Sequence, residues 1–212
     1  MAKEKRERNA VKSSNDILKA AEDSFAEKGF YGARIDEIAE MANINKRMIY
    51  EYFESKENLY KQVLFSVYKR IEDVELALTQ TDLHGAELIR AIISAYFDFL
   101  RNNPNFVSLV MRENLSHASC LGELPAETLR RKSLQVIKDR IRAGIEQGMF
   151  KSHVDPEQTV ITLNMICFAN FSNRFTLPRL FEQDIEDETT LNERKQHTTD
   201  LMLSYLCCGK DD

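Results

Sequence analysis

Helix breakers are scarce in this chain. Four prolines and seven glycines punctuate 212 residues, which favours long helices over many short strands. The apolar share of 43% is enough to build a core. The length permits one large domain, or a small one fused to a medium one.

The formal net charge of −5 argues, taken whole, against a nucleic-acid partner, but its distribution argues the other way. Residues 1–70 hold 14 Lys and Arg against 12 Asp and Glu, whereas residues 71–212 hold 15 against 22. A basic head on an acidic body suits a small DNA-binding module joined to a larger domain that does not touch DNA.

Other functional classes lack their residues. Cys120, Cys167, Cys207 and Cys208 form no CxxC, and nothing marks an oxidising compartment. The adjacent Cys207 and Cys208 read as structural or incidental, with redox sensing as the alternative. Met1 to Arg8 is charged with no apolar stretch behind it, unlike a secretory signal. The longest charge-free run, Gln158 to Asn173, includes Gln, Thr and Asn and is too short to span a bilayer. A soluble cytoplasmic protein is expected. His84, His117, His153 and His197 are scattered, and His117 with Cys120 makes only a weak metal-ligand pair. With no HExxH, nucleophile elbow or Gly-rich phosphate loop, neither an enzyme nor a metal or cofactor site is expected.

Along the chain, residues 1–12 carry Lys3, Lys5, Arg6, Arg8 and Lys12 against Glu4 and Glu7. They read as a flexible basic arm, either a solvated tail or an extra DNA contact. Ser13 and Asp16 have capping-box spacing, and Ile17, Leu18, Ala21 and Phe25 follow at helical spacing. Gly29 supplies a left-handed stop. A short second helix carries Ile35, Ile38, Ala39 and Ala42, and ends at Asn43, a residue that tolerates the left-handed region. Asn45 caps a third helix over 46–53, with Ile49 and Phe53 four apart and facing inward. Ser55 caps a long fourth helix towards Leu78. Two short helices around a three-residue turn, braced by a longer one, make a helix-turn-helix pattern.

The stretch from Ile17 to Tyr60, ILKAAEDSFAEKGFYGARIDEIAEMANINKRMIYEYFESKENLY, closely resembles the DNA-binding domain of the TetR family of bacterial transcriptional regulators. The shared marks are the apolar-Ala-Ala and Phe of the first helix, Lys-Gly-Phe, Ile-Ala, Lys-x-x-Ile-Tyr-x-Tyr-Phe and Ser-Lys-Glu, in order and without a gap. Four positions depart from the family pattern. Asn43 replaces the turn glycine, and Arg34 stands at or next to the usual hydroxyl cap, where it is a poor cap able to reach a phosphate. Arg47 replaces a glycine, and Tyr52 replaces a histidine. A shorter resemblance, Asn103-Pro104-Asn105-Phe106 with Arg112-Glu113-Asn114-Leu115, points to a TetR subgroup that includes the pyrimidine-utilisation repressor. It implies a small polar or aromatic metabolite.

The resemblance implies an all-α fold of about nine helices, with a three-helix DNA-binding domain at 13–54 and a ligand-binding and dimerisation domain at 55–212. The residues agree on their own terms. Helices are expected from an Asp82 cap to Arg101, over 105–118, from Pro125 to Gly148, from Asp155-Pro156 to Phe175, and over 189–207, the last preceded by a charged loop. The expected function is a repressor released from a palindromic operator by a small organic effector; the alternative is a ligand-independent architectural or constitutive regulator.

Expected DNA-facing residues are Arg34, Asn45, Lys46, Arg47, Met48, Tyr50, Glu51, Tyr52 and Lys56. By the resemblance, Tyr50, Tyr52 and Lys56 hold phosphates, which set register and salt-dependent affinity. Base choice falls to Arg47, Met48 and Glu51, although Glu51 reads equally as a solvated charge. Candidate ligand residues are Phe97, Phe106, Val110, Met111, Asn114, Leu134, Ile137, Asn164, Met165, Phe168 and Phe171, any of which can be plain core. Asn114 and Asn164 stand out because an amide on an apolar face needs a hydrogen-bond partner. The helix from Pro156 is apolar almost all round and must be buried on several sides. Val160, Ile161, Leu201, Met202 and Tyr205 are therefore expected at a homodimer interface.

Overall fold

The computed structural model describes residues 2–125 and 129–207, residues 2–12 as backbone. Among the described residues the protein is all-helical, with ten α-helices. These are α1 (Ala2–Gly32), α2 (Ile35–Met41), α3 (Lys46–Phe53), α4 (Lys56–Thr79), α5 (Gly85–Asn102), α6 (Pro104–Leu115), α7 (Arg131–Glu146), α8 (Pro156–Ser172), α9 (Leu177–Phe181) and α10 (Glu188–Leu206), with a 3-10 turn at Leu121–Glu123. The chain divides into two compact units by packing: residues 1–69 with 108–129, and residues 70–107 with 130–212. Helices α4 and α6 each contribute to both.

In the first unit, α1 begins at Ala2 rather than at the capping-box serine. Ser13 and Asp16 consequently lie inside the helix. Its geometry breaks at Gly29 (φ 72, ψ 174), the expected stop. The core is Ile17, Ala21, Phe25, Ile38, Ile49, Leu59, Tyr60 and Leu64, all at most 1% exposed. Side chains of this size each stabilise by about 1.5–3 kcal/mol when fully buried. The Phe25 and Tyr60 rings meet edge to face at 4.8 Å between centroids.

The end of α6 braces this unit. Arg112 Nε donates to the Ala26 carbonyl at 3.0 Å, and its Nη2 donates to that of Glu27. These carbonyls close the last regular turn of α1 before Gly29, where helix acceptors lose their intrahelical partners. A Cβ at Gly29 would come within 2.9 Å of Arg112 Nη1 and push that guanidinium aside, but it is the positive φ that calls for glycine there. Glu113, buried, accepts from the Tyr60 hydroxyl and from the Leu121 backbone N–H, both at 2.9 Å.

In the second unit, α5 packs on α8 and α10, and α7 packs on α8. Helix α5 starts at Gly85, with His84 in the N-cap position. Asp82 is thus not the cap; it pairs with His84 Nε2 at 3.1 Å. Helix α6 stops at Leu115 rather than near 118, because His117 and Ala118 turn to positive φ. Helix α7 starts at Arg131 rather than at Pro125, since Arg130 stands in the left-handed region (φ 64), which no α-helix can pass through; residues 126–128 lie outside the described ones. Asp155 caps α8 by accepting from Gln158 N–H at 3.0 Å, with Pro156 in the first turn, as its sequence dictates. The charged loop before the last helix contains α9, whose five residues are too few for periodicity to register. Asp187 caps α10 by accepting from the N–H groups of Thr189 and Thr190.

Candidate nucleic-acid interface

Helices α1, α2 and α3 pack in succession, and the turn between α2 and α3 is local chemistry. Asn43 takes φ 53, and the Ile44 N–H returns to the Ala39 carbonyl at 3.0 Å. The Asn45 side chain then accepts from the Arg47 N–H at 2.8 Å and starts α3. Ile49 and Phe53 are buried and fix which face of α3 turns outward. That face presents Lys46, Arg47, Tyr50, Glu51 and Tyr52 exposed, with Met48 half-buried. Arg34 is exposed in the N-cap position of α2 and makes no side-chain cap bond, as expected of a long cationic side chain. Asn45 thus has a structural part to play, whatever else it contacts.

The cations on this face have acidic partners that sequence spacing alone did not reveal. Lys46 Nζ lies 2.8 Å from Asp36 on α2, and Lys28 lies 2.8 Å from Glu37. Both lysines are held above their ordinary pKa, chiefly by these hydrogen bonds. Arg47 Nε pairs with Glu51 Oε1 at 2.9 Å, one turn on. Lys56, half-buried, rests its ammonium 4.9 Å from the centre of the Phe30 ring. Asp36 and Glu37 also occupy the first turn of α2, where negative charge is favoured by the helix dipole. The outer face of α3 is therefore a set of exposed donors and hydroxyls on a rigid, capped two-turn helix. That arrangement can hydrogen-bond phosphates and base edges.

The family profile described as bacterial regulatory proteins, tetR family, matches residues 17–63. A second, the tetracyclin repressor-like C-terminal domain, matches residues 86–202. The chain belongs to the TetR family. It is 30% identical to the HTH-type transcriptional repressor NicS of Pseudomonas putida over 204 residues, 95% of each chain. It is 31% identical to the HTH-type transcriptional regulator RutR of Escherichia coli strain K12, over 75% of this chain and 74% of that one. Among solved structures, the fatty acid degradation regulator FadR of Bacillus halodurans shares the fold (TM-score 0.69, 19% identity, 90% of this chain and 94% of that one). So does FadR of Bacillus subtilis, solved with stearoyl-CoA (TM-score 0.65, 17% identity, 89% and 97%). As a TetR-family member, the chain is a transcriptional regulator.

The residues expected to face a ligand separate into groups. Phe97, Ile137 and Phe171 are buried, with the Phe97 and Phe171 rings edge to face at 5.6 Å; Phe106 is buried too. Val110 is half-buried and Met111 exposed. Asn114 is exposed, and its amide donates to the Val110 carbonyl at 2.9 Å. Its own helix meets the demand that singled it out. Leu134, Asn164 and Met165 line one groove of about 570 Å³ with Arg130, Val160 and Ile161. Phe168 is half-buried.

Of the residues expected at a dimer interface, Val160 and Met202 are buried within their own chain, while Ile161, Leu201 and Tyr205 are 42%, 52% and 50% exposed. Met165 and, around α9, Phe175, Leu180 and Phe181 add to this exposed apolar surface.

The second unit holds a cluster that the motifs did not name. Glu75 of α4 is fully buried and accepts from the Tyr96 hydroxyl, from Ser133 Oγ and from the guanidinium of Arg130. A signal existed in the sequence: Leu64, Val67, Ile71 and Glu75 recur at helical spacing, so a carboxylate stands on an otherwise apolar stripe. Among the described residues, no group of three or more His, Cys, Asp or Glu is placed to hold a metal ion, and no helix is long and apolar enough to cross a membrane. Cys207 follows α10; Cys208, expected to be incidental or redox-active beside it, lies outside the described residues.

Proposed function

We propose that this TetR-family regulator is a repressor that binds a palindromic operator as a homodimer and is released by a small organic effector. In this reading residues 13–54 bind DNA and residues 55–212 bind the effector and the second copy. The observation that carries it is the outer face of α3, where Arg47, Tyr50, Glu51 and Tyr52 stand exposed on a capped helix whose other face, Ile49 and Phe53, is sealed into the core. Arg47 and Met48 choose bases, Tyr50, Tyr52, Arg34 and Lys56 hold phosphates, and Lys46 leaves Asp36 for the backbone.

The relatives support the regulatory half of the reading. One 30% identical along nearly its whole length is named a repressor, and a fold neighbour was solved with an organic ligand, stearoyl-CoA. A homodimer is supported by the exposed Ile161 on α8 with Leu201 and Tyr205 on α10, the last two four apart on one stripe. Two recognition helices must enter successive major grooves, about 34–36 Å apart. An effector that prefers badly spaced heads weakens DNA binding, and DNA weakens effector binding by the same factor.

The test is selection from a randomised duplex library with the full-length protein, followed by sedimentation with and without the selected site. A palindromic site bound by two copies is expected. A metabolite screen by thermal shift then supplies ligands for operator-binding assays. A protein sedimenting as a monomer at micromolar concentration overturns the dimer. Ligands that stabilise the protein yet leave operator affinity unchanged favour a constitutive regulator.

A further inference from the structure

We propose that the second unit carries a binding site for a small organic carboxylate, with the acid group on Arg130 and Asn164 and the apolar body in the groove lined by α7 and α8. The proposal deepens the effector reading above and rests on it for its regulatory meaning.

Four helices and one helix-leading residue deliver polar groups to a single cluster, buried except at the half-buried Asn164. Glu75 comes from α4, Tyr96 from α5, Ser133 from α7, Asn164 from α8, and Arg130 stands just before α7. Glu75 accepts from Tyr96 Oη at 2.5 Å, from Ser133 Oγ at 2.6 Å, from Arg130 Nε at 3.1 Å and from Arg130 Nη2. Arg130 Nη2 also donates to Asn164 Oδ1 at 3.0 Å, and of the two Asn164 Nδ2 hydrogens, which alone could donate to an acid, one goes to the Val160 carbonyl at 2.9 Å. Well-packed apolar residues would stabilise a core at least as well as a buried ion pair. The cluster therefore calls for a role beyond stability, and its surroundings supply one.

Arg130 and Asn164 reach the groove of about 570 Å³, whose walls include Leu134, Val160 and Met165, with Ile161 shared with the face assigned to the second copy. Its size, its apolar lining and its few convergent polar groups are those of a small-molecule site. Its charge selects the ligand. Arg131 and Lys138 line it beside Arg130, against the one acid Glu157, and Glu157 lies 2.7 Å from Lys138. Cations outnumber acids along the groove, and a guanidinium matches the planar fork of a carboxylate. Glu75 already holds that guanidinium from within, so an incoming carboxylate shares the cation with it and sets a second negative charge near the first. Glu75 belongs to α4, the helix that begins in the DNA-facing unit, and loosening its anchor acts on that helix.

The experiment is calorimetric titration of the full-length protein with aliphatic and aromatic monocarboxylates, hexanoate and benzoate among them, each against its primary amide. At least one acid is expected to bind on the order of tenfold more tightly than its amide. Glu75→Gln, which keeps the acceptor and removes the competing charge, should raise carboxylate affinity severalfold. The double variant Glu75→Gln with Arg130→Gln replaces the ion pair by two amides and should abolish the preference for acid over amide. If no acid is preferred, or the preference survives in the double variant, the site is wrong. Operator binding is measured separately. Carboxylate binding that leaves DNA affinity unchanged overturns the effector reading and keeps the site, whereas release by a neutral compound without carboxylate binding overturns the site alone.

Discussion

Arg47–Glu51 and Arg130–Glu75 are the same chemical pair in two settings. The first lies on the outer face of α3, with side chains 84% and 57% exposed; the second has 11% and 0%. At the surface, water solvates both charges whether or not they meet, so the pair is worth at most about 1 kcal/mol and either member is free to leave for a ligand. In the core, neither charge has a replacement for the other, and a ligand can stand in for only one of them, so separating the pair is costly. The first unit can therefore exchange intramolecular partners for outside ones at little cost. The second keeps its pair, and a ligand there must share the cation.

Single replacements in the buried pair should show the largest effect. Arg130→Met leaves Glu75 buried without its cation and is expected to cost about 3–5 kcal/mol of unfolding free energy in urea. Replacing both, Glu75→Gln with Arg130→Met, which keeps an acceptor for Tyr96 and Ser133, should recover most of that loss. Equal destabilisation by the single and double changes would erase the contrast between the two pairs.

Base discrimination comes next. Arg47→Ala should lose about 1–3 kcal/mol of preference for the selected operator while folding stability moves within about 0.5 kcal/mol, as at ordinary surface positions. Lys56→Ala should weaken binding to all duplexes alike and lower the salt slope by about one. Equal loss of specific and non-specific binding in Arg47→Ala would remove its base-reading role.

Asn45→Ala removes the cap of α3 and should cost about 1 kcal/mol of stability, read by thermal unfolding. The smallest effect is expected of Glu51→Gln, whose stability should match the parent within about 0.5 kcal/mol. A large loss there would show that the exposed pair behaves like the buried one.

Much of the first unit was legible because its signals are local. A cap, an inward pair four apart and a left-handed residue are each set by neighbours within one turn, and Asn45, Ile49 with Phe53, and Asn43 behave accordingly. The start of α1 is less legible because a capping-box pattern at Ser13 is also compatible with a helix interior. Asp82 and Pro125 read as helix starts by the same local logic. At Arg130 a tertiary bond decides instead: the residue stands left-handed with its side chain held by Glu75, so no single helix runs from Pro125 through α7. The Asn164 amide donates to the Val160 carbonyl one turn back, as helical spacing allows, and its oxygen accepts from Arg130, which no spacing in the chain connects to it.

By itself the sequence determined the helical class, the place and faces of α3, and the family, because these depend on composition, on short-range periodicity and on one ungapped stretch from Ile17 to Tyr60. Only the tertiary structure decided that Glu75, Tyr96, Arg130, Ser133 and Asn164 share one cluster, and that Arg112 and Glu113 brace α1 and Tyr60. The physical reason is that a buried polar group must find its partner wherever the fold brings one, and that partner is fixed by how helices pack and not by distance along the chain.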